Sequence, residues 1–271
     1  MSGNLADFSG DIPENYDRGL GPVIFAGYAA DMAHRATSGS TLSRVLETAA
    51  GSGIVTRALR DVLPAGTHLT ATDLNPAMLD IARAKFRADQ DVVFQPADAT
   101  ALPFPDGSFD LMICQFGVMF YPDKDKGYRE AHRVLTQGGR YLFSVWDAHR
   151  HNPFGRIAHE VIAGFFPSDP PRFYAVPFGY HLIDPIKESL LAAGFGEIKI
   201  SVVQQHRPVA DFSSFARGVV FGSPVVDQIR QRHGAEPSEV QEAVAAAMRR
   251  EFAGDPALLP LQAIVFEACK A

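Results

Sequence analysis

Three short stretches carry the residue types that can do chemistry. The first is Glu47-Thr48-Ala49-Ala50-Gly51-Ser52-Gly53. Its small residues from Ala49 to Gly53 let another molecule touch the backbone. The apolar residues after it, Val55, Leu59, Val62 and Leu63, fall on one face of a helix. A helix starting there offers unpaired N–H groups and a partial positive charge, a seat for a carboxylate or phosphate. The second is Asp73, which closes the apolar run Leu69-Thr70-Ala71-Thr72. It lies about twenty residues past the glycines, where an acid at a strand end can accept both hydroxyls of a ribose. The third is Asp98, which could accept from an exocyclic adenine amine or bond its own backbone as a turn residue. The three together point to a nucleotide-containing ligand held where strands give way to helices.

Those residues need a frame. Val45-Leu46, Leu69–Asp73, Val92–Gln95, Leu111–Phe116 and Arg140–Trp146 read as strands. The run 111–116 is apolar without interruption, as in a parallel strand covered on both faces. Helices are expected from Ile54, from Asn75-Pro76 (cap and first helical residue) and over Lys124–Leu135, the last stopped by Gly138-Gly139. This alternation predicts an α/β fold, a Rossmann-like doubly wound and mostly parallel sheet. Before it, residues 1–20 read as a polar arm, and Pro22 opens a helix with Phe25, Tyr28, Ala29 and Met32 on one face. Beyond 146 the periodicity weakens. Asp147 to Leu182 reads as a pocket-lining insertion rich in Pro, Phe, His and Tyr. A helix follows from Asp184-Pro185, closed by Gly194, then a strand over Ile198–Val203. A helical insertion over 211–252 carries a capping box, Ser238 to Gln241, and a final strand spans Leu261–Cys269.

Composition excludes several classes. With 271 residues, 46% hydrophobic and 21% charged, the chain can bury a sizeable core and is no disordered segment. A net charge of −6 without any Lys/Arg run argues against nucleic acid or an anionic membrane surface as partner. No apolar run approaches the ~20 residues of a membrane span. The stretch Met1-Ser2-Gly3-Asn4 shows no signal-peptide pattern. Cys114 and Cys269, far apart, suit a reducing compartment, so a cytoplasmic location is expected. No metal pattern is present, since Ala163 stands where His159-Glu160 would need a second His.

In motif order, the chain resembles the class I S-adenosylmethionine (SAM) dependent methyltransferases, specifically the small-molecule type related to quinone-biosynthesis C-methyltransferases. The matching residues are Glu47 to Gly53, Asp73-Leu74-Asn75 with Met78, Asp98-Ala99, and Leu102-Pro103-Phe104 through Ser108-Phe109-Asp110 with Gln115-Phe116. Arg133-Val134-Leu135 with Gly138-Gly139 completes the set. The resemblance implies seven strands, the last antiparallel between the fifth and sixth, with a mainly helical cap. It implies one methyltransferase domain over 1–271: lid helices in 1–40, a SAM-binding core over 44–146, acceptor-side insertions at 147–182 and 211–258, and sheet completion at 184–203 and 261–269. It further implies that Ala49 and Gly51 border the methionine part of SAM, while Asp73 binds the ribose with Leu74 and Met78 beside the adenine. Asp98 and Ala99 would meet the adenine edge, Gln115 and Phe116 the sulfonium, and Glu47 would steady the turn and reach the ammonium through water. One departure stands out: Ala49 replaces the family's usual first glycine.

Methyl transfer from a sulfonium needs an in-line acceptor and little covalent help, so positioning is the expected source of rate. The acceptor is expected to be a small apolar or aromatic molecule, given the aromatic residues of 151–182, which could equally form that insertion's own core. Should the acceptor lose a proton, Tyr16, His151 and His181 are candidate bases, and His149 and His206 are also available. Two other readings compete. A nicotinamide oxidoreductase would want Gly or Ala at position 56, where this chain has Thr56. A non-catalytic SAM-binding module is the other.

Overall fold

A computed structural model describes residues 7–38 and 42–271. The Met1–Asn4 stretch and the first six residues of the polar arm fall outside it, as do residues 39 and 40 of the lid segment. The chain divides into two compact units. One comprises residues 28–145, 181–203 and 264–271. The other comprises 1–27, 146–180 and 204–263.

The first unit is organised by the sheet. Its strands are β1 (Arg44–Glu47), β2 (His68–Asp73), β3 (Val92–Pro96), β4 (Phe109–Gln115), β5 (Leu135–Trp146), β6 (Phe195–Val209) and β7 (Ala257–Lys270). The last three extend beyond this unit. The order is β3-β2-β1-β4-β5-β7-β6. Pairing is parallel from β3 through β5, with Val45 opposite both Leu69 and Leu111. β7 runs the other way. The Lys270 ammonium donates to the carbonyls of His132 and Leu135 at the start of β5, at 2.7 and 2.8 Å. The Gln262 carbonyl accepts from the Asp147 N–H just past the end of β5, at 3.1 Å. Val45, Leu46, Leu111, Ile113 and Leu142 are fully buried, because helices cover both faces of the central strands.

The helices are amphipathic, though the face expected of the helix after Gly53 is trimmed: Leu63 is buried with Val55 and Leu59, whereas Val62, the last helical residue, turns outward and is 47% exposed. In α3 (Ile54–Val62), Val55 and Leu59 join a core with Leu69, Leu111 and Leu142; in α4 (Pro76–Arg83), Met78, Leu79 and Ala82 are buried. Two further helices pack nearby in sequence terms, α5 (Lys124–Val134) and α7 (Ile183–Ala192). The helix α2 (Ala26–Thr37) sends Ala29, Met32, Ala33 and Ala36 into the same core. Its C-terminal carbonyls are held by a buried guanidinium: Arg140 donates to Ala36 at 2.6 Å and to Arg35 at 3.3 Å, and pairs with Glu267 at 3.4 Å.

The second unit is mainly helical. Chain entry is helical from Ile12: α1 (Ile12–Asn15) leads into a π-helical stretch, Tyr16–Phe25, that contains Pro22. The arm expected over 1–20 is therefore helical from residue 12. Glycine and proline there act within a wider-wound helix instead of breaking it. The others are α6 (Pro153–Phe165), α8 (Phe212–Phe221), α9 (Val225–Arg230) and α10 (Pro237–Glu251). Asp211 caps α8, accepting from the N–H groups of Ser213 and Ser214 at 2.8 and 3.1 Å. The capping box of α10 lies two residues before the expected one, on Glu236 and Glu239. Pro237 takes the first helical position, where no N–H is needed, and Ser238 falls inside the turn. A buried polar knot joins Asp147, Asn152 and Gln262. The Gln262 amide donates to Asp147 at 2.6 Å, and Asn152 exchanges bonds with the Gln262 backbone at 2.9 and 3.0 Å.

Three boundaries differ from the sequence reading. The fifth strand begins at Leu135, directly after α5, and runs through Gly138-Gly139. Leu135 itself turns extended and ends the helix. The sixth and seventh strands are longer than 198–203 and 261–269: exposed and half-buried residues alternate through the sixth, and Pro260 interrupts the apolar start of the seventh.

Candidate cofactor-binding site

The order of the sheet reverses between β1 and β4. From β1 the chain builds outward through β2 and β3, then returns to place β4 on the other side. Ligands of open α/β sheets lie outside the carboxyl ends of strands at such a switch point. The turn Ala49 to Gly53 sits there, after β1. It is pinned from both sides: the Thr48 N–H donates to Ile113 of β4 and the Ala50 N–H to Thr72 of β2, both at 2.9 Å. The backbone turns left-handed at Ala49 (φ 51°), Gly51 (φ 56°) and Gly53 (φ 79°). Gly51 is the close approach the sequence suggests; a Cβ there would reach the Met78 methyl at 3.4 Å.

Two buried acids flank the turn. Asp73, 7% exposed, takes the Gly51 N–H at 2.8 Å on one oxygen. Its other oxygen takes the backbone and side-chain N–H groups of Asn75, at 2.8 and 3.2 Å. Burial raises its pKa, and the N–H groups of Asn75 and Gly51 oppose that rise. Glu47 is 2% exposed. Burial pushes its carboxyl up to about 8, and the nearby Asp73 charge adds to the rise. Its Oε2 has no hydrogen-bond partner among the described residues. The Thr56 backbone and hydroxyl favour the charged form, but that hydroxyl makes no hydrogen bond of ordinary geometry.

The other predicted residues lie on the same side. Leu74 follows Asp73 and is 53% exposed. Met78 is buried on α4. At the tip of β3 the Ala97 N–H bonds the Asp73 carbonyl at 3.0 Å. Asp98 next to it is exposed, and its Oδ1 accepts from both the N–H and the hydroxyl of Thr100 at 2.8 Å. That oxygen closes a local turn, the alternative the sequence left open. Ala99 is buried. At the tip of β4, Gln115 is half-buried and Phe116 buried. Phe116 is left-handed (φ 54°), its N–H on the Ser144 carbonyl at 3.0 Å and its ring edge-on to Tyr28 at 5.4 Å.

The structure thus brings Glu47, Ala49, Gly51, Asp73 and Met78 round one turn, with Leu74, Asp98, Ala99, Gln115 and Phe116 on the adjoining strand tips. Of the candidate bases, Tyr16 and His151 lie in the helical unit and His181 in the sheet unit. Tyr16 stacks on Phe25 at 4.9 Å. His151 accepts from the Arg150 Nε at 2.9 Å. His181 comes just ahead of α7. The aromatic residues Phe154, Phe166, Phe173, Tyr174 and Phe178 are buried within the helical unit, for example Phe154 on Phe178 at 5.6 Å and on Phe215 at 5.9 Å. They form that unit's own core.

Sequence reasoning missed Asn75 as a partner of Asp73, assigning it only to the helix cap. It sits at the cap position, but its amide turns back to Asp73 and makes no cap bond. Gly117, which lies against Ala49, was also missed. Its signal was a glycine directly after a bulky residue at a strand tip. Thr48, Cys114 and Tyr121 form a buried cluster under the turn, with the Tyr121 hydroxyl 3.4 Å from Thr48 Oγ1 and 3.3 Å from Cys114 Sγ.

The sheet thus has seven strands with the last inserted between the fifth and sixth, and a small-residue turn at its switch point. Residues 46–143 match the family described as a methyltransferase domain. Over 115 residues the chain is 37% identical to a demethylmenaquinone methyltransferase of Deinococcus radiodurans, covering 42% of this chain and 47% of that one. Over 168 residues it is 30% identical to the ubiquinone/menaquinone biosynthesis C-methyltransferase UbiE of Pasteurella multocida, covering 57% and 63%. The chain spans about half the length of the first curated relatives it matches. Among solved structures, the YcgJ protein of Bacillus subtilis superposes with a TM-score of 0.58 at 21% identity, over 90% of this chain and 98% of that one. A phosphoethanolamine N-methyltransferase 2 of Haemonchus contortus gives 0.60 at 16%, over 95% and 56%. At these identities the structural likeness speaks for the fold alone. No helix of the described residues is long and apolar enough to cross a membrane.

Proposed function

We propose that this protein transfers the methyl group of SAM to a small, apolar or aromatic acceptor of the quinol type. The observation that carries the reading is the left-handed turn at the β1/β4 switch point, flanked by the buried acids Glu47 and Asp73. The residues present fit the donor. The absent side chain at Gly51 leaves room beside Met78 for its methionine part. The bare, buried Oε2 of Glu47 suits an ammonium reached through water. Asp73 has about one of its roughly four acceptor positions left for a ribose hydroxyl. Leu74, solvent-exposed, and Met78 offer apolar surface to an adenine; Asp98 and Ala99 border its edge. Gln115 and Phe116 bound the sulfonium end.

When bound, SAM supplies an electrophilic methyl on a positively charged sulfur. The chain's own part is alignment, a contribution worth roughly 7–11 kcal/mol in good intramolecular systems. The quinol-type acceptor follows the printed activities of the curated relatives. The buried aromatic residues of 151–182 lend it little, since they fill a core. Acceptor choice is assigned to the insertions 147–182 and 211–258, and proton removal, where the acceptor requires it, to Tyr16, His151 or His181. Two free thiols, Cys114 and Cys269, fit a reducing compartment such as the cytoplasm.

Titration calorimetry with SAM, S-adenosylhomocysteine (SAH) and NADH is the first test. SAM and SAH should bind and NADH should not. A panel of phenols, hydroquinones and quinolones is then incubated with SAM and scored for SAH release. NADH binding without SAH binding would overturn the reading in favour of an oxidoreductase. SAH binding with no transfer to any acceptor class would leave a non-catalytic module.

A further inference from the structure

Two residues other than glycine hold left-handed backbone at neighbouring strand tips, Ala49 after β1 and Phe116 after β4. An L-residue is strained there, and such strain persists only where the surroundings over-determine it. Gly117 lies between them. Its own φ of −99° and ψ of −40° are open to any residue, so conformation does not demand glycine at 117. Space does. A Cβ on Gly117 would stand 2.4 Å from the Ala49 methyl and 2.7 Å from the Cys114 sulfur. The turn cannot yield, since Thr48 and Ala50 tie it to β4 and β2, and Phe116 is tied through its N–H to Ser144.

We propose that Gly117 is a positioning residue for the methyl donor. It makes room for the methyl of Ala49, and so lets an alanine hold the left-handed turn whose backbone borders the methionine part of SAM. Positions 49 and 117 act as one device in which only one of the two carries a side chain. This inference rests on the donor-binding role given to that turn above.

A double-mutant cycle tests it, read by SAH affinity and by thermal unfolding of the ligand-free protein. Gly117→Ala should weaken SAH binding by about tenfold or more, in line with overpacking of a close-packed site. Ala49→Gly should bind SAH at least as tightly as the wild type. Ala49→Gly/Gly117→Ala should recover to within about threefold of Ala49→Gly, most completely with Cys114→Ala added, which removes the second close contact. A purely structural role for Gly117 would shift the unfolding temperature and leave the SAH affinity of the folded protein unchanged, and that result overturns the proposal. So does a variant with all three substitutions that binds SAH as weakly as Gly117→Ala alone. If Gly117→Ala does not fold, the variant with all three substitutions decides. Folded and SAH-binding, it supports the coupling; unfolded or non-binding, it refutes it. A wild-type protein that binds no SAH overturns the donor reading and this role with it, whereas SAH binding without coupling between 49 and 117 overturns this inference alone.

Discussion

Replacing Glu47 by glutamine should change how stability depends on pH. The carboxyl is buried beside the turn, and its pKa is pushed from the ordinary 4.5 up to about 8. Below pH 4.5 it is protonated in both the folded and the unfolded chain and contributes nothing. Above that, the unfolded chain gives up the proton first, so stability falls as pH rises until the folded pKa is reached. At about 1.4 kcal/mol per pH unit, the loss accumulated near pH 8 is on the order of 5 kcal/mol. Glu47→Gln removes this slope and leaves the other titrating groups, Asp73 among them, in place. Urea denaturation followed by circular dichroism at pH 5.5, 6.5 and 7.5 would measure it. The stability of Glu47→Gln relative to wild type should climb by about 1.4 kcal/mol for each pH unit. Curves for the two proteins that stay parallel over this range would refute the reasoning. The same group should tie donor binding to pH. An ammonium reached by Glu47 favours the charged carboxylate, so SAH affinity of the wild type should rise towards pH 8, while that of Glu47→Gln should stay level.

Other substitutions probe separate parts of the frame. Asp73→Asn should weaken SAM binding at least about tenfold, as for a hydrogen bond to a charged group; titration of a folded variant with unaltered affinity would remove the ribose role. Arg140→Met leaves the Glu267 carboxylate and the last carbonyls of α2 without their donor, and should cost roughly 3 kcal/mol in thermal or urea denaturation. Asp211→Ala removes the α8 cap and should cost about 1 kcal/mol, with faster amide exchange at Ser213 and Ser214.

The parallel half of the sheet and the turn at its switch point were legible in the sequence for a physical reason. Strands covered on both faces are apolar without a break, as in Leu111–Cys114, and a left-handed turn held between strand tips shows as a run of small residues, Ala49 to Gly53. The remainder depends on contacts that no local pattern records. In β6, Glu197 and Lys199 alternate with half-buried residues over a strand of 15, so its ends carry no signal. The π-helical entry reads as a polar arm followed by a helix opened by Pro22, whereas Gly19, Gly21 and Pro22 all lie inside one continuous winding from Tyr16 to Phe25. The aromatic stretch after 150 has residues suited equally to a pocket or a core, and only packing separates the two. At the candidate site, an acid closing the second strand was readable as Asp73. Its bonds to Gly51 and Asn75, and the way Asp98 turns to Thr100, were not, because a carboxylate's partners are chosen by geometry after the strands align.

The placement of β7 also constrains how the molecule can be assembled. Seventh along the chain, it lies sixth across the sheet, and β6 reaches the rest only by way of it. On a ribosome releasing the chain from its amino end, β1 through β5 can zip together early, while β6 has no neighbour to join until the closing segment has been made. A truncation within 257–270 should therefore cost two strands, leaving the Gly51 turn and the five older strands beside an unmoored sixth.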